Sequence, residues 1–185
     1  MQYPIILMAL LRMGAIGCLL NTKLPIQGLL RALESVNCTD LVSPYGVSHT
    51  SELGRLYSLS PAALVDEREQ PAGPVTVNED QPATIFFTSG STGEPKPVLH
   101  TYANHYRNAQ ASNANILLEP GDCWLVSLPM HHVAGVSILF RCALAGAAVA
   151  FPRPQEPVHA AIARYGVTHV SLVATQLYRL LGQPE

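Results

Sequence analysis

The chain has 185 residues, 48% of them hydrophobic, with 11 Lys and Arg against 13 Asp and Glu for a formal charge of -2. So many apolar side chains exclude a disordered chain, and the length suits one domain or part of a larger one. Without any Lys/Arg cluster the chain offers neither a nucleic-acid surface nor a polybasic membrane patch, because both need concentrated positive charge.

The apolar opening, "PIILMALLRMGAIGCLL", lacks a basic leading region and carries Arg12 and two glycines. It predicts a buried helix over 5–13 stopped by Gly14, then a strand over 16–20, with no membrane span. Pro25 opens a second helix running to about residue 36, since proline suits a first helical turn. "TDLVS" is the next predicted strand. From residue 44 to 80 the chain is rich in Ser, Pro, Gly and charge, with "GRLYSL" and "VTV" as its strand-like pieces, and predicts a long surface connection.

The alternation then resumes with "TIFF" as a strand and helix over 102–117. Strand "CWLVSL" follows, then a helix over 133–145 stopped by Gly146. Strand "AAVAF", helix 158–165, strand "THVSLV" and a last helix from Thr175 complete the pattern. Helices separating short apolar strands imply crossover connections, hence an α/β fold with a largely parallel sheet and helices on both faces. The cysteines Cys18, Cys38, Cys123 and Cys142 form no C-x-x-C pair, which predicts free thiols in a reducing cytoplasm rather than a zinc or disulfide framework.

In such a sheet ligands sit where loops leave the carboxyl ends of strands. "TSGSTGEPK" leaves the end of "TIFF". Gly90 and Gly93 let the backbone approach a ligand, Thr88, Ser89, Ser91 and Thr92 add hydroxyls, and Lys96 adds a point charge, a set suited to phosphate. Lys96 lies between Pro95 and Pro97, so no helix starts on it and the Walker A pattern fails, as do G-x-G-x-x-G and G-x-S-x-G. On Ser/Gly composition alone, a flexible turn between two strands is the better reading.

The whole string "TSGSTGEPKPVLHT" resembles the phosphate-binding signature of the adenylate-forming superfamily: acyl-CoA synthetases, luciferases and peptide-synthetase adenylation domains. A second block, "DCWLVSLPMHHVAGVSILFRCALAGAAVAF" followed by "THVSLVATQLYRLL", resembles the 2-succinylbenzoate:CoA ligases of menaquinone synthesis. Three departures stand out: Pro97 where a small residue is usual, His131 where an aromatic is common, and Ala174 in place of proline.

The resemblance implies ATP, Mg2+ and CoA as cofactors or co-substrates and a small carboxylic acid, 2-succinylbenzoate, as substrate, in a cytoplasmic ligase open to homo-oligomerisation. It places Thr88, Ser89, Gly90, Ser91, Thr92, Gly93 and Lys96 at the ATP phosphates. Lys96 and His132 receive catalytic roles, and His132, Arg141 and Thr175 face the acid. Arg141 sits on an otherwise apolar helix, where a charge needs solvent or an anionic partner, and a dicarboxylate would supply one. His132 reads equally as a helix cap or core polar group. His131 reads as structural or partly exposed, and adjacent histidines are expected to point apart, a poor metal site without a third ligand. Trp124 is predicted core.

Superfamily members run to several hundred residues, with later motifs for adenine, ribose and Mg2+ and a small C-terminal domain bearing a catalytic lysine. The resemblance therefore implies that residues 1–185 are a partial large N-terminal domain, with the small domain absent. Two alternatives accompany the ligase: a non-catalytic nucleotide- or acyl-binding remnant, and a ligase for another acyl or aryl acid.

Overall fold

The computed structural model describes residues 3–38, 40–42, 57–59, 73, 75–89 and 95–182. It divides the chain into two compact units, Met1–Thr101 and Tyr102–Glu185.

In the first unit, α1 (Tyr3–Arg12) buries Leu7 and Leu11, four residues apart on one face. It ends at Gly14, whose φ of 76° is open to glycine at no steric cost. Next come β1 (Gly17–Leu19), α2 (Ile26–Ser35, with Pro25 as its N-cap), β2 (Asp40–Val42) and β3 (Tyr57–Leu59). Of the expected surface connection most lies outside the described residues; "VTV" at 75–77 forms no strand. β4 (Pro82–Ser89) pairs with β1 in parallel, with Leu19 opposite Phe86 and both buried.

The strand over Pro95–Thr101, β5, is absent from the chain-order reading, though a turn between two strands, the alternative for the Ser/Gly loop, requires one there. Two prolines and a lysine in seven residues read locally as loop, yet β5 pairs antiparallel with β4 along its length. Its place at the end of the β1-β4-β5 sheet explains the tolerance, since proline, lacking an N–H, is accommodated on edge strands. β2 and β3 pair in parallel as a separate ribbon.

The second unit contains α3 (Tyr102–Asn115), β6 (Cys123–Leu125), α4 (Val133–Ala145), β7 (Ala148–Ala150), α5 (Val158–Tyr165), β8 (His169–Val170) and α6 (Ala174–Leu181). Its sheet has the order β7-β6-β8 and is wholly parallel. From β6 the chain moves out through α4 to β7, then back through α5 to β8 on the other side of β6. Right-handed crossovers in opposite directions must put α4 and α5 on opposite faces. Side-chain alternation along β6 agrees: Trp124 lies beneath Arg141 of α4, whereas Leu125 packs with Ala161, Val158 and Ile162 of α5. Helices on both faces of a parallel sheet are therefore present within this unit.

Gly146 closes α4 at φ 70°, where the sequence placed a stop, and the N–H of Ala147 returns to the Cys142 carbonyl at 2.9 Å. Trp124, 2% exposed, is core as expected. Among the described residues four strand pairings are parallel and one is antiparallel. None of the described helices is long and apolar enough to cross a membrane.

Candidate functional site

The Ser/Gly loop joins two antiparallel strands. Thr88 stands directly opposite Lys96, both exposed, and the Thr88 hydroxyl donates to the Lys96 carbonyl at 3.4 Å. Opposed residues of an antiparallel pair hold their Cβ atoms about 4.5–5.5 Å apart, so this register fixes the lysine beside the threonine at the mouth of the hairpin. Ser89 is placed by its backbone, opposite Pro95. Gly90, Ser91, Thr92 and Gly93 lie outside the described residues. Pro97, the departure from the superfamily string, sits inside β5 opposite Phe87.

In the second unit, the connections after β6 and β8 leave the same carboxyl edge of neighbouring parallel strands. The first carries the chain through Leu128 and Pro129 to His132, the N-cap of α4, and the second leads to Val173, the N-cap of α6. His132 occupies the N-cap position of α4, as the cap alternative expects, but its side chain makes no capping hydrogen bond and is exposed, so the core alternative fails. Contrary to expectation, the two histidine rings do not diverge: their centroids are 4.3 Å apart. Among the described residues no three His, Cys, Asp or Glu side chains gather as a metal site.

The glycine that ends the stretch "LPMHHVAG", Gly135, is explained by contact. A Cβ on Gly135 would lie 2.5 Å from the Pro129 carbonyl oxygen and 2.9 Å from that of Leu128, backbone atoms that cannot swing aside. Only glycine lets the first turn of α4 close onto the loop, with the His132 N–H donating to the Pro129 carbonyl at 3.1 Å.

Arg141 projects from α4 with its guanidinium carbon 5.5 Å from the Trp124 ring centroid. An aromatic face attracts a cation but accepts none of its directional N–H bonds. The buried Nε of Arg141 has no hydrogen-bond partner, and no described carboxylate pairs with it. Burial pulls the guanidinium below its ordinary pKa, yet arginine stays charged at neutral pH. Asn113 on α3 donates through Nδ2 to the Arg141 carbonyl at 3.0 Å, while its own Oδ1, like Trp124 Nε1, is buried and unpartnered. This half-buried cation keeps one donor unpartnered.

Thr175 is exposed in the first turn of α6. Ala174 is the first helical residue, a place that proline also suits, so the departure there leaves the helix intact. Sequence reasoning missed Gln176 and Ser127. Val173 N–H donates to Gln176 Oε1 at 3.0 Å, Gln176 Nε2 donates to the Ser127 carbonyl at 3.1 Å, and Ser127 Oγ donates to the Ser171 carbonyl. A Gln three residues after a helix N-cap is a known signal, but Val173 has no side-chain oxygen to complete the usual capping box and so hides it.

Lys96 and Thr88 thus belong to the first unit, and His132, Arg141 and Thr175 to the second.

A family model described as AMP-binding enzyme matches residues 1–185. The 2-succinylbenzoate–CoA ligase of Bacillus cytotoxicus is 34% identical over 187 residues, covering 98% of this chain and 37% of the relative. That of Bacillus cereus is 32% identical over 183 residues, with the same 98% and 37% coverage. Among solved structures, o-succinylbenzoate coenzyme A synthetase from Bacillus subtilis in complex with ATP and magnesium matches with a TM-score of 0.87 and 30% identity, over 99% of this chain and 39% of that one. The Bacillus subtilis enzyme in complex with its acyl-adenylate intermediate matches with a TM-score of 0.84 and 29% identity, over 99% and 49%. The chain therefore spans 37% of the length of these curated relatives.

Proposed function

This chain belongs to the AMP-binding enzyme family, and on that premise we propose that it is part of the large N-terminal domain of an ATP-dependent acid–CoA ligase, acting in the cytoplasm on 2-succinylbenzoate. The observation that carries the reading is the match of 99% of the chain to a structure described as holding an acyl-adenylate intermediate. In the reaction, a carboxylate oxygen attacks the α-phosphorus of ATP and pyrophosphate leaves. The thiol of CoA, losing its proton, then attacks the acyl carbon and AMP leaves.

Both partners of the first step are anions, so the barrier falls when fixed donors and cations neutralise charge around the point of attack. Lys96, with the Thr88 hydroxyl beside it and the backbone and hydroxyls of Ser89, Gly90, Ser91, Thr92 and Gly93, takes the phosphates in this reading. Magnesium arrives with the nucleotide, since it is commonly held by substrate phosphates. His132, at the N-terminal end of α4, and Thr175, in the first turn of α6, border the acid, where helix N-termini favour negative charge.

Arg141 selects for a second carboxylate. Its guanidinium is already held over Trp124, and its unpartnered Nε gives an anion a directional contact that solvent does not supply in a buried setting. The test is ATP–pyrophosphate exchange in the intact protein that carries this chain, with 2-succinylbenzoate, a monocarboxylate of the same shape and simple aryl acids as substrates. Exchange dependent on 2-succinylbenzoate, followed by thioester formation with CoA, is expected. Preference for another acid would replace the substrate and keep the chemistry. A nucleotide- or acyl-binding protein without turnover is the second reading, and it is the reading left if ligand binds without pyrophosphate release.

A further inference from the structure

We infer that Gln176 is a positioning residue for acid binding: its carboxamide ties the start of α6, which carries Thr175, to the end of β6, which leads to His132. This rests on the ligase reading above. Two hydrogen bonds carry it, from the Val173 N–H to Oε1 at 3.0 Å and from Nε2 to the Ser127 carbonyl at 3.1 Å. The partners fix the amide's orientation, because an N–H needs the oxygen and a carbonyl needs the amino group. On the same edge the Ser127 hydroxyl donates to the Ser171 carbonyl, so the exits of β6 and β8 are tied twice.

Helix capping alone does not account for this arrangement. A cap needs only the bond from Val173, which glutamate makes as well as glutamine. The second bond reaches a residue 49 positions away, on the neighbouring strand's exit, and serves no helix end. With each end of the carboxamide engaged by backbone, Gln176 acts through Thr175 and the β6 exit rather than on the acid itself.

Gln176→Glu isolates the second bond. It keeps the shape and the contact to Val173, but at neutral pH it sets a carboxylate oxygen against the Ser127 carbonyl, two acceptors with no proton between them. Protonation restores a donor, and the facing carbonyl pushes this carboxyl above its ordinary value of about 4.3. Expected in the intact protein is an acid KM in pyrophosphate exchange about tenfold above the parent's at neutral pH, the size of one unmade hydrogen bond in a part-buried setting. That ratio should fall towards one as the pH is lowered, with the ATP KM unchanged and the thermal midpoint lowered at neutral pH by the same unmade bond. Gln176→Leu, which has no proton to gain, should keep a raised acid KM at every pH and provides the KM test independently of how Gln176→Glu folds. An acid KM unchanged in both variants, or a loss of kcat and of both KM values in step with the thermal midpoint, would overturn the positioning role. Absence of acid-dependent exchange in the unsubstituted protein is a different failure: it overturns the ligase reading, and the role in acid binding with it.

Discussion

Lys96 stands opposite Thr88 on an exposed edge and packs into no core, so its worth to the molecule is its charge. Lys96→Ala should lower pyrophosphate exchange by about 10²–10³-fold, the cost of one preorganised donor at a reacting centre, and leave the thermal midpoint in place. Lys96→Arg should restore only part of that, because a planar fork does not reproduce a compact ammonium. Unchanged exchange in Lys96→Ala would remove the lysine from the phosphates. Arg141 permits a sharper comparison. A hydrogen bond to a charged group is worth about 1.5–3 kcal/mol, so Arg141→Ala should weaken a dicarboxylate about 10- to 100-fold while barely affecting a monocarboxylate of the same shape. Equal losses for the two acids would show that Arg141 serves Trp124 and the packing of α4 instead.

At the scale of elements, the seat of α4 on the loop before it depends on one missing methyl group. Gly135→Ala places a Cβ within 2.5 Å of the Pro129 carbonyl oxygen. Backbone must then move, and overpacking of this kind costs about 1–3 kcal/mol, measurable as a lower denaturant midpoint. An unchanged midpoint would mean that the first turn of α4 lifts off its loop freely. The entry to α5 is held by charge. Glu156 accepts from the Arg153 N–H at 2.9 Å and from Arg164 Nε at 2.7 Å, and these contacts, the backbone one first, lower its carboxyl pKa. A lowered folded-state pKa contributes stability that is complete above the ordinary glutamate value of about 4.3 and is lost as pH falls through the folded value. Acid titration of Glu156→Gln should therefore lose less stability below about pH 4 than the parent, with the two alike at neutral pH in pH dependence. Parallel acid limbs would show that the pair contributes nothing through protonation.

For the whole molecule, the proposed phosphate loop and Arg141 region would supply only part of what adenylation demands, and the chain spans 37% of its curated relatives. Residues 1–185 expressed alone should form no measurable CoA thioester, because the charge developing at the α-phosphate lacks a full set of compensating groups. The helix α6 buries none of its residues, and Tyr178 and Leu181 are 81% and 76% exposed. Apolar side chains so arranged favour association, so light scattering on these residues alone should report species larger than one chain. Robust turnover by a monodisperse monomer would overturn both expectations at once.

Much of this was legible before any coordinates. Helix positions followed from local signals, since Gly14 and Gly146 stop α1 and α4 at the residues where the chain needs positive φ. The α/β class followed from helices alternating with short apolar runs, and membership of the AMP-binding enzyme family from one long contiguous string. Other features were decided in three dimensions, because they depend on residues far apart in sequence. β5 reads as loop by propensity and becomes a strand only because β4 offers it a partner and the sheet edge tolerates its prolines. The guanidinium of Arg141 needed Trp124, 17 residues earlier on another element, to show why it is half-buried without a carboxylate. Gln176 is an ordinary helix residue until the crossover through α5 returns the chain beside β6, where its carboxamide reaches Ser127. Local chemistry sets which elements form, whereas contacts between distant residues set which side chains meet.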